Sequence, residues 1–476
     1  MPGTTEQTTI IPHSQEPYVT RVYPTERELD QHIQDAAVAQ KAWSGVPLAD
    51  RIAIGRRFIE EFKKMADDIP KELTLQMGRP VSQGAGEVRG FLERATYMLD
   101  IATNSLEDVA LEETDKPGFR RFIKRVPLGV VLVIAPWNFP YLVSINSVLP
   151  AIISGDAVLL KPSPQTPVTA ERFATALTLA GLPKDVMQVV HLSPELTSHA
   201  IGNPLVNFVS FTGSVSGGRS VAKTSAEASG FTGVALELGG KDPAYVRADA
   251  DLDYTVAELV DGAYFNSGQS CCAVERIYVH ESLYDDFVEK FVSAVKSYRL
   301  GDPTLKETNL GPVVSLASAE RIRRQVADAV EAGAKALIPD SHFPQAREGT
   351  TYVAPQVLVN VNHQMDVMME ETFGPVVGIQ KVNSDEEAVK FMNDSPYGLT
   401  ASIWTNAAEN TESELAFIKL ADAIETGTVF LNRCDYLDPA LAWVGIKNSG
   451  RGVSLSKFGY DQLTRPKSVH MKIRTS

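Results

Sequence analysis

Two adjacent cysteines, Cys271 and Cys272, lie in a short polar segment between an apolar helical pattern and a strand-like run at 276–279. The segment contains Gly268, which favours a turn that can hold a thiol at the mouth of a cleft beside free backbone N–H groups. A thiol in such a place is more reactive than a core cysteine, because the thiolate is the nucleophile. On this segment alone, burial of both cysteines as small hydrophobic side chains is an equally good interpretation.

A carboxylate interrupts an apolar run upstream, where Glu237 stands between Leu236 and Leu238 and ahead of two glycines. Burying an unpaired carboxylate is costly. Desolvation also raises the pKa of such a group toward the range that suits a general base. The alternative is a structural carboxylate that pairs with Lys241 or with a backbone N–H.

An asparagine, Asn138, follows the first of a series of buried strand-like runs. That position is the edge at which open α/β sheets bind ligands. The Asn138 amide can donate a hydrogen bond to a developing oxyanion, a role worth roughly 3–4 kcal/mol in acyl transfer. Capping of the helix that follows is the alternative role.

Two further segments have the residues of a nucleotide site. Lys161 ends the second strand-like run, where it can contact ribose hydroxyls or a phosphate, although many lysines in such places are simply solvated. Residues 211–218 run from a strand through Gly213 and Ser214 to a helix that contains Gly218, and free N–H groups at a helix N-terminus bind phosphate. This turn is not the G-x-G-x-x-G fingerprint, so alone it is a weak signal.

The elements that position these residues follow from the apolar pattern. Helices are predicted over 28–112, with an apolar stripe at 54–69 that Pro70 should end. Between 130 and 238, short apolar runs alternate with helical patterns, which predicts a parallel sheet covered by helices on both faces. A second α/β region follows Gly240. The predicted fold class is therefore α/β, with two sheet-containing domains.

Composition limits the possible functions. A chain of 476 residues with a net charge of −14 is expected to hold two or three domains and to avoid nucleic acid and anionic membranes. Its 3 cysteines lack C-x-x-C spacing and are too few for a disulfide framework, which suits the cytoplasm and predicts no metal site. No apolar run approaches the roughly 20 residues of a membrane span. Residues 1–15 are predicted to be a mobile leader rather than a signal peptide.

Together these motifs resemble the aldehyde dehydrogenase superfamily, over nearly the whole chain and in the family's order. The resemblance implies that Cys271, the second residue after Gln269, is the nucleophile and that Cys272 is not. By the same matching, Glu237 corresponds to the general base and Asn138 to the side chain that holds the oxyanion.

The resemblance also implies a nicotinamide dinucleotide, NAD or NADP, as cofactor. Lys161 matches a ribose contact, Trp137 and Ser214 match pyrophosphate contacts, and Glu371 matches the contact to the nicotinamide ribose. The full set of expected cofactor contacts is Trp137, Lys161, Ser163, Gly213, Ser214, Gly218, Leu238, Glu371 and Phe373. The expected substrate pocket contains Phe139, Asn146, Ser270, Cys272 and Trp443.

The implied reaction oxidises an aldehyde to a carboxylic acid. Cys271 attacks the aldehyde carbon, loss of hydride to the nicotinamide leaves a thioester, and water activated by Glu237 hydrolyses it. Relatives that transfer the acyl group to coenzyme A lack this base, so the expected product is the free acid. A coenzyme A-acylating enzyme and a non-catalytic binding protein are the alternatives, and the retention of Cys271, Glu237 and Asn138 speaks against them.

Three positions depart from the family pattern. NAD-preferring relatives carry Glu where this chain has Pro164, so use of both NAD and NADP is expected. Residues 442–445 replace the usual Pro-Phe-Gly-Gly and alter one wall of the substrate tunnel. Asn146 stands where semialdehyde-specific relatives place an Arg, which counts against a succinic-semialdehyde role, although Arg433 could supply a cation from the other side.

The implied architecture has a Rossmann-type cofactor domain, an α/β catalytic domain and a β oligomerisation arm. Their expected ranges are 1–112 and 128–239 for the cofactor domain, 240–448 for the catalytic domain, and 113–127 with 449–476 for the arm and C-terminal tail. Strand-like runs at 120–126 and 469–473 have no sheet nearby in sequence. They are expected to pair with a neighbouring subunit in a homodimer or homotetramer. The expected small-molecule partner is an aldehyde substrate.

Overall fold

The computed structural model describes residues 5–111, 116–408 and 410–474. Its first part holds a strand pair, a run of helices and a short strand: β1 (Glu6–Ile10), β2 (Pro17–Val22), α1 (Glu26–Trp43), α2 (Leu48–Lys63), α3 (Ile69–Met77), α4 (Val81–Ser105) and β3 (Val109–Ala110). Strands and helices then alternate: β4 (Phe119–Pro127), β5 (Val130–Ile134), α5 (Pro140–Ser154), β6 (Ala157–Lys161), α6 (Pro167–Leu179), β7 (Met187–Val189), α7 (Pro194–Gly202), β8 (Val206–Thr212), α8 (Val215–Glu227) and β9 (Gly233–Glu237).

The second half of the chain also contains both strands and helices. It begins with β10 (Asp242–Val246), α9 (Leu252–Tyr264), β11 (Val274–His280), α10 (Tyr284–Lys296), α11 (Leu316–Glu331), β12 (Lys335–Ala336), β13 (Gln356–Val359), α12 (Asp366–Met369) and β14 (Val376–Val382). It continues with α13 (Asp385–Asn393), β15 (Tyr397–Gly398), β16 (Thr400–Trp404), α14 (Thr411–Ala423), β17 (Thr428–Leu431), β18 (Ile446–Lys447), β19 (Gly450–Arg451), α15 (Ser456–Gln462) and β20 (Thr464–Lys472).

Six of the described strands form the first sheet, in the order β19-β9-β8-β5-β6-β7. Strands β5 to β9 pair in parallel, and β19 pairs antiparallel with β9. Asn138 follows β5, Lys161 ends β6, Gly213 follows β8 and Glu237 ends β9. Because parallel strands end at one edge, these four residues meet there.

The core lies on both faces of this sheet. Val131 and Val133 of β5 pack into one apolar cluster, whereas Val130 and Leu132 pack into another on the opposite face. All residues of β5 and β6 are buried. Continuous burial of parallel strands between helices is what the apolar runs predicted, and the α/β class is confirmed.

Within the described ranges, seven strands form the second sheet, in the order β12-β13-β14-β11-β10-β16-β17. Neighbouring strands are parallel except β12 and β13. Helix α9 leads into the turn that contains Cys271, and β11 leaves it. The nucleophile candidate is therefore fixed between a buried helix and a central strand. Among the described helices, none has the length and hydropathy that a membrane span requires.

The predictions for two N-terminal segments were wrong. The apolar stripe at 54–69 does not belong to one helix, because α2 ends at Lys63 and Pro70 lies in the first turn of α3. Proline is favoured there, since the first N–H groups of a helix have no intrahelical partner. Residues 6–15 are not a mobile leader: β1 pairs with β2, and Thr9 Oγ1 donates a hydrogen bond to the Pro164 carbonyl at 2.8 Å. Residues 1–4 lie outside the described ranges.

The two isolated strand-like runs pair with each other. Strand β4 is antiparallel to β20 along its whole length, and β3 continues this sheet on the other side of β4. The predicted tail at 449–476 divides, because β19 joins the first sheet and Tyr460 of α15 donates a hydrogen bond to the Met98 carbonyl at 2.7 Å. The expected domain boundary at 112–113 falls outside the described residues.

Candidate active site

A cavity of about 880 Å³ opens between the ligand-binding edge of the first sheet and the turn before β11. It brings together nearly all of the predicted site residues. Those in its wall are Trp137, Asn138, Phe139, Lys161, Ser163, Gly213, Ser214, Glu237, Leu238, Ser270, Cys271, Cys272, Glu371, Phe373 and Trp443. Gly218 and Asn146 are not in the wall, and both lie directly behind it, as described below.

The turn before the cysteines has an unusual backbone. Asn266, Ser267 and Gly268 all have positive φ, at 52°, 57° and 69°. Such a conformation costs on the order of 1–3 kcal/mol for a residue other than glycine, so it persists only where the surroundings hold it. Asn266 Nδ2 donates to the Gln269 carbonyl at 3.2 Å, and Ser267 Oγ donates to the Gly311 carbonyl at 2.8 Å. These bonds fix the direction in which the chain enters the cysteine pair.

The two cysteines have different surroundings. Cys272 is 2% exposed, and its Sγ donates a hydrogen bond to Asp435 Oδ1 at 3.0 Å. A hydrogen bond with the Cys271 thiol, burial and the Asp435 carboxylate raise the pKa of Cys272 well above its ordinary value. Cys271 is half-buried in the cavity wall, and in the described part of the chain its backbone N–H has no acceptor. Cys272 is thus kept as a neutral thiol, and Cys271 is the more exposed of the two thiols in the cavity wall.

Glu237 lies at the end of β9 with its carboxylate in the cavity wall. Ser454 Oγ donates a hydrogen bond to Glu237 Oε1 at 2.6 Å. Burial raises the pKa of Glu237, and hydrogen bonds from Ser454 and Trp443 together with the Arg94 charge oppose that rise. Trp443 and Ser454 also exchange two backbone hydrogen bonds of 2.9 Å, so one bridge holds both donors to the carboxylate.

Lys241 does not pair with Glu237, so the lysine pairing that the sequence offered as an alternative for that carboxylate is not present. Its Nζ donates to Glu275 Oε2 at 2.5 Å and to Thr372 Oγ1 at 3.0 Å. The Glu275 carboxylate also accepts the backbone N–H groups of Thr372 and Phe373, each at 2.8 Å. This buried network fixes the backbone that presents Glu371 and Phe373 to the cavity.

Asn138 is 5% exposed, and its Nδ2 donates to the Gln269 carbonyl at 3.2 Å. The second hydrogen of that amide remains for a ligand in the cavity. Asn138 does not cap α5, because the N–H of Tyr141 in its first turn donates to Glu87 Oε1 at 2.7 Å. The capping alternative for Asn138 is therefore not realised.

A buried ion pair that sequence reasoning missed connects these parts. Arg79 pairs with Glu87, donates through Nη2 to the Asn138 carbonyl and donates through Nε to Asn266 Oδ1 at 3.2 Å. Its guanidinium carbon also lies 4.4 Å from the centroid of the Phe139 ring. Arg79 thus holds Asn138 and the cysteine turn in one arrangement.

The sequence of α4 contains a signal for the buried charges of this region. Glu87 and Arg94 occur on the same helical stripe as the buried residues Val88, Phe91 and Ala95. Charged residues on a buried stripe are rare unless they are paired or used.

The other half of the cavity has the features of a dinucleotide site. Ser214 caps α8 by accepting the N–H of Gly217 at 3.1 Å, which leaves the rest of the helix N-terminus open to an anion. A side chain at Gly218 would approach Leu238 Cδ2 to 2.5 Å, so this glycine acts from behind the wall by letting α8 pack on Leu238. Burial lowers the pKa of Lys161 to about 8.

Glu371 completes that half. Its Oε1 accepts the N–H of Gly240 at 3.0 Å, and burial followed by the Glu275 charge raises its pKa to about 8. A side chain at Gly239 would occupy the position of the Glu371 carboxylate. A phosphate-binding helix end, a buried lysine and a carboxylate acceptor suit the pyrophosphate and ribose groups of NAD or NADP.

Arg433 does not supply the cation that the sequence suggested. Its guanidinium carbon lies 3.4 Å from the centroid of the Tyr436 ring, and Arg433 is not in the cavity wall. The cations in the wall are instead Arg79, Arg89, Arg94, Lys161 and Arg321.

Comparison with known proteins agrees with this geometry. Residues 2–469 match the profile of the aldehyde dehydrogenase family. Lactaldehyde dehydrogenase of Escherichia coli strain K12 is 32% identical over 467 residues, which cover 97% of this chain and 95% of that protein.

Two solved structures extend the likeness to cofactor complexes. The crystal structure of PnpE in complex with nicotinamide adenine dinucleotide has a TM-score of 0.92 at 28% identity and covers 99% of this chain and 95% of that one. NADP-dependent glyceraldehyde-3-phosphate dehydrogenase of Bacillus halodurans C-125, complexed with NADP, has a TM-score of 0.91 at 29% identity, with 98% and 96% covered.

Proposed function

The chain belongs to the aldehyde dehydrogenase family, and we propose that it oxidises an aldehyde to the free carboxylic acid with NAD or NADP. The observation that carries this proposal is the meeting of Cys271, Asn138 and Glu237 in one cavity wall. A thiol nucleophile, an amide donor and a carboxylate of raised pKa are the groups that acyl transfer to water requires.

In the proposed reaction, the Cys271 thiolate adds to the aldehyde carbon. The new oxyanion accepts hydrogen bonds from Asn138 Nδ2 and from the Cys271 N–H, which has no acceptor in the described part of the chain. When bound, NAD or NADP supplies the acceptor for the hydride. The acyl group is then a thioester on Cys271.

Glu237 completes the reaction by taking a proton from water, whose oxygen attacks the thioester carbon and releases the Cys271 thiolate. A carboxylate is an effective base when its pKa lies closer to the working pH than that of a free side chain. Burial raises the pKa of Glu237, while the hydrogen bond from Ser454 stabilises the ionised carboxylate and limits that rise. The product is the free acid, and no acyl acceptor other than water is needed.

The residues that would hold the cofactor are those of the second half of the cavity. Ser214 and the N-terminus of α8 suit the pyrophosphate, together with Trp137 and Gly213. Lys161 and Ser163 suit the adenosine ribose, and Glu371 suits the nicotinamide ribose. Related structures carry NAD in one case and NADP in another, which supports dual use.

Cofactor choice gives the first prediction. Pro164 lies in the wall beside Lys161 and Ser163, and it offers neither an acceptor side chain for ribose hydroxyls nor a charge against a 2′-phosphate. We expect the kcat/KM values with NAD and with NADP to lie within about 10²-fold of each other, which corresponds to roughly 2.7 kcal/mol. Pro164→Glu should shift the ratio toward NAD because its carboxylate repels the phosphate. Steady-state kinetics with both cofactors measure this, and rejection of NADP by the wild type far beyond that factor contradicts it.

Assembly gives the second prediction. The two strands of the proposed arm pair with each other, yet β20 is mostly exposed, and beyond it the described chain offers no further strand. Exposed strand edges promote pairing with another chain, and a two-fold axis satisfies both edges at once. We expect a homodimer or a dimer of dimers in light scattering. A monomer of 51.8 kDa at micromolar concentration would contradict this.

The location follows from the cysteines. Cys271, Cys272 and Cys434 are all free thiols, and the proposed nucleophile must stay reduced to act. We therefore propose the cytoplasm, where thiols are kept reduced.

A panel of aldehydes tested with each nicotinamide examines the proposed function. Reduction of the cofactor that depends on both aldehyde and Cys271 supports it. No reduction with any aldehyde in the panel would count against it and favour a non-catalytic member of the family.

A further inference from the structure

Arg94 is a buried cation in the substrate half of the cavity that the proposed reaction does not use. It lies on the inner face of α4, is 6% exposed and forms part of the cavity wall. Its Nη1 donates to the Leu142 carbonyl at 2.7 Å and to Asn146 Oδ1 at 3.4 Å. A guanidinium has five N–H donors, so most of its capacity is not used by these two acceptors.

No carboxylate of the described chain lies within ion-pair distance of Arg94, whereas the other deeply buried arginine of the wall, Arg79, is paired with Glu87. Burial lowers the pKa of Arg94, and the more distant charges of Glu237 and Glu87 oppose that change. A buried cation that has no anionic partner is unfavourable, and the binding of an anion beside it reduces that cost.

The residues around Arg94 hold its side chain in one orientation and leave space beside it in the cavity. Asn146 is 2% exposed, and its Nδ2 has no hydrogen-bond partner among the described residues. Its side-chain Oδ1 accepts the hydrogen bond from Arg94. One and two turns earlier on α4, Gly90 and Gly86 also line the cavity and add no side chains to it. The result is an open space bordered by a fixed guanidinium.

We propose that Arg94 binds a carboxylate carried by the substrate, so that the preferred aldehydes are short oxo acids. The inference rests on the proposed function, because the aldehyde group must reach Cys271 in the same cavity. A guanidinium matches a planar carboxylate with two parallel hydrogen bonds, which a neutral group cannot reproduce. Asn146 therefore does not argue against an acidic substrate, since the cation comes from the neighbouring helix.

The competing role for Arg94 is electrostatic support of Glu237 and of the Cys271 thiolate. That role would affect every aldehyde alike, because the same thiolate and the same base act on each. Recognition of a substrate carboxylate instead affects only aldehydes that carry one. A matched pair of substrates therefore separates the two roles.

The experiment compares 4-oxobutanoate with its methyl ester, using wild type, Arg94→Met and Arg94→Lys. We expect the wild type to prefer the acid, and Arg94→Met to lower kcat/KM for the acid by about 10²-fold, mainly through KM. The ester should change by no more than about threefold, and Arg94→Lys should recover part of the loss. Thermal unfolding of each variant verifies that the fold is retained.

Arg89→Met is the matched control, because Arg89 lies on the same helix and at the same cavity but is exposed. Its acid-to-ester preference should change much less, since solvent screens an exposed charge. Equal losses on acid and ester in Arg94→Met, or an equal effect of Arg89→Met, would overturn the inference. If the wild type oxidises the ester but does not prefer the acid, or oxidises other aldehydes of the panel but neither of these two, the inference fails and the proposed function stands. If it oxidises no aldehyde of the panel, the proposed function itself fails.

Discussion

Cys271→Ala should abolish aldehyde oxidation, with a loss of about 10⁴-fold or more in kcat, as expected when a nucleophile is removed. Cys271 is the half-buried thiol in the cavity wall, and the N–H that would hold the oxyanion belongs to the same residue. The alanine variant keeps that N–H but has no thiolate to form the thioester. Steady-state turnover with an accepted aldehyde measures the loss.

Cys272→Ala is the matched control and should retain substantial turnover. Its thiol is held neutral by the raised pKa and by the hydrogen bond to Asp435. Removing it deletes a contact that supports the turn, so a modest loss of activity is expected rather than none. Comparable losses in the two variants would mean that the nucleophile is assigned to the wrong cysteine.

Glu237→Gln should slow steady-state turnover by roughly 10²–10⁴-fold, the usual effect of removing a general base. Because the amide cannot activate water, the thioester should accumulate, and reduced cofactor should appear as a burst followed by a slow phase. Stopped-flow absorbance measures both phases. If this variant turned over at the wild-type rate, Glu237 would not be the general base.

The pH profile supplies an independent check on Glu237. The base acts only when it is ionised, so activity should rise with pH through the raised pKa of Glu237 and fall away below it. Glu237→Gln should lose that rising limb. In Ser454→Ala the carboxylate loses a hydrogen bond to its charged form, so the limb should move to higher pH while activity above it is retained.

Much of the site could be predicted from the sequence because it depends on local chain order. Asn138, Lys161, Gly213 and Glu237 each end or follow a buried parallel strand, and parallel strands place those ends at one edge. The direction of the cysteine turn was less evident, since three successive residues with positive φ include Asn266 and Ser267, which do not require that conformation.

The parts that were missed depend on contacts between distant segments. Arg79 lies between α3 and α4, and Glu87 and Arg94 belong to α4. Only the packing of this region against α5 and the segment before it shows that they meet the cavity. The pairing of β4 with β20 joins segments that are far apart in sequence, so no local pattern could specify it. Pro70 is compatible with ending one helix or beginning another, and the apolar stripe alone did not decide between them.

The central claim, thioester hydrolysis by water on Cys271 with Glu237 as base, is tested most directly by product stoichiometry. Carboxylic acid and reduced nicotinamide are quantified from the same reaction, with and without coenzyme A. The account predicts one free acid for each reduced cofactor, unchanged by coenzyme A. An acyl-coenzyme A product, or cofactor reduction that requires coenzyme A, would contradict it.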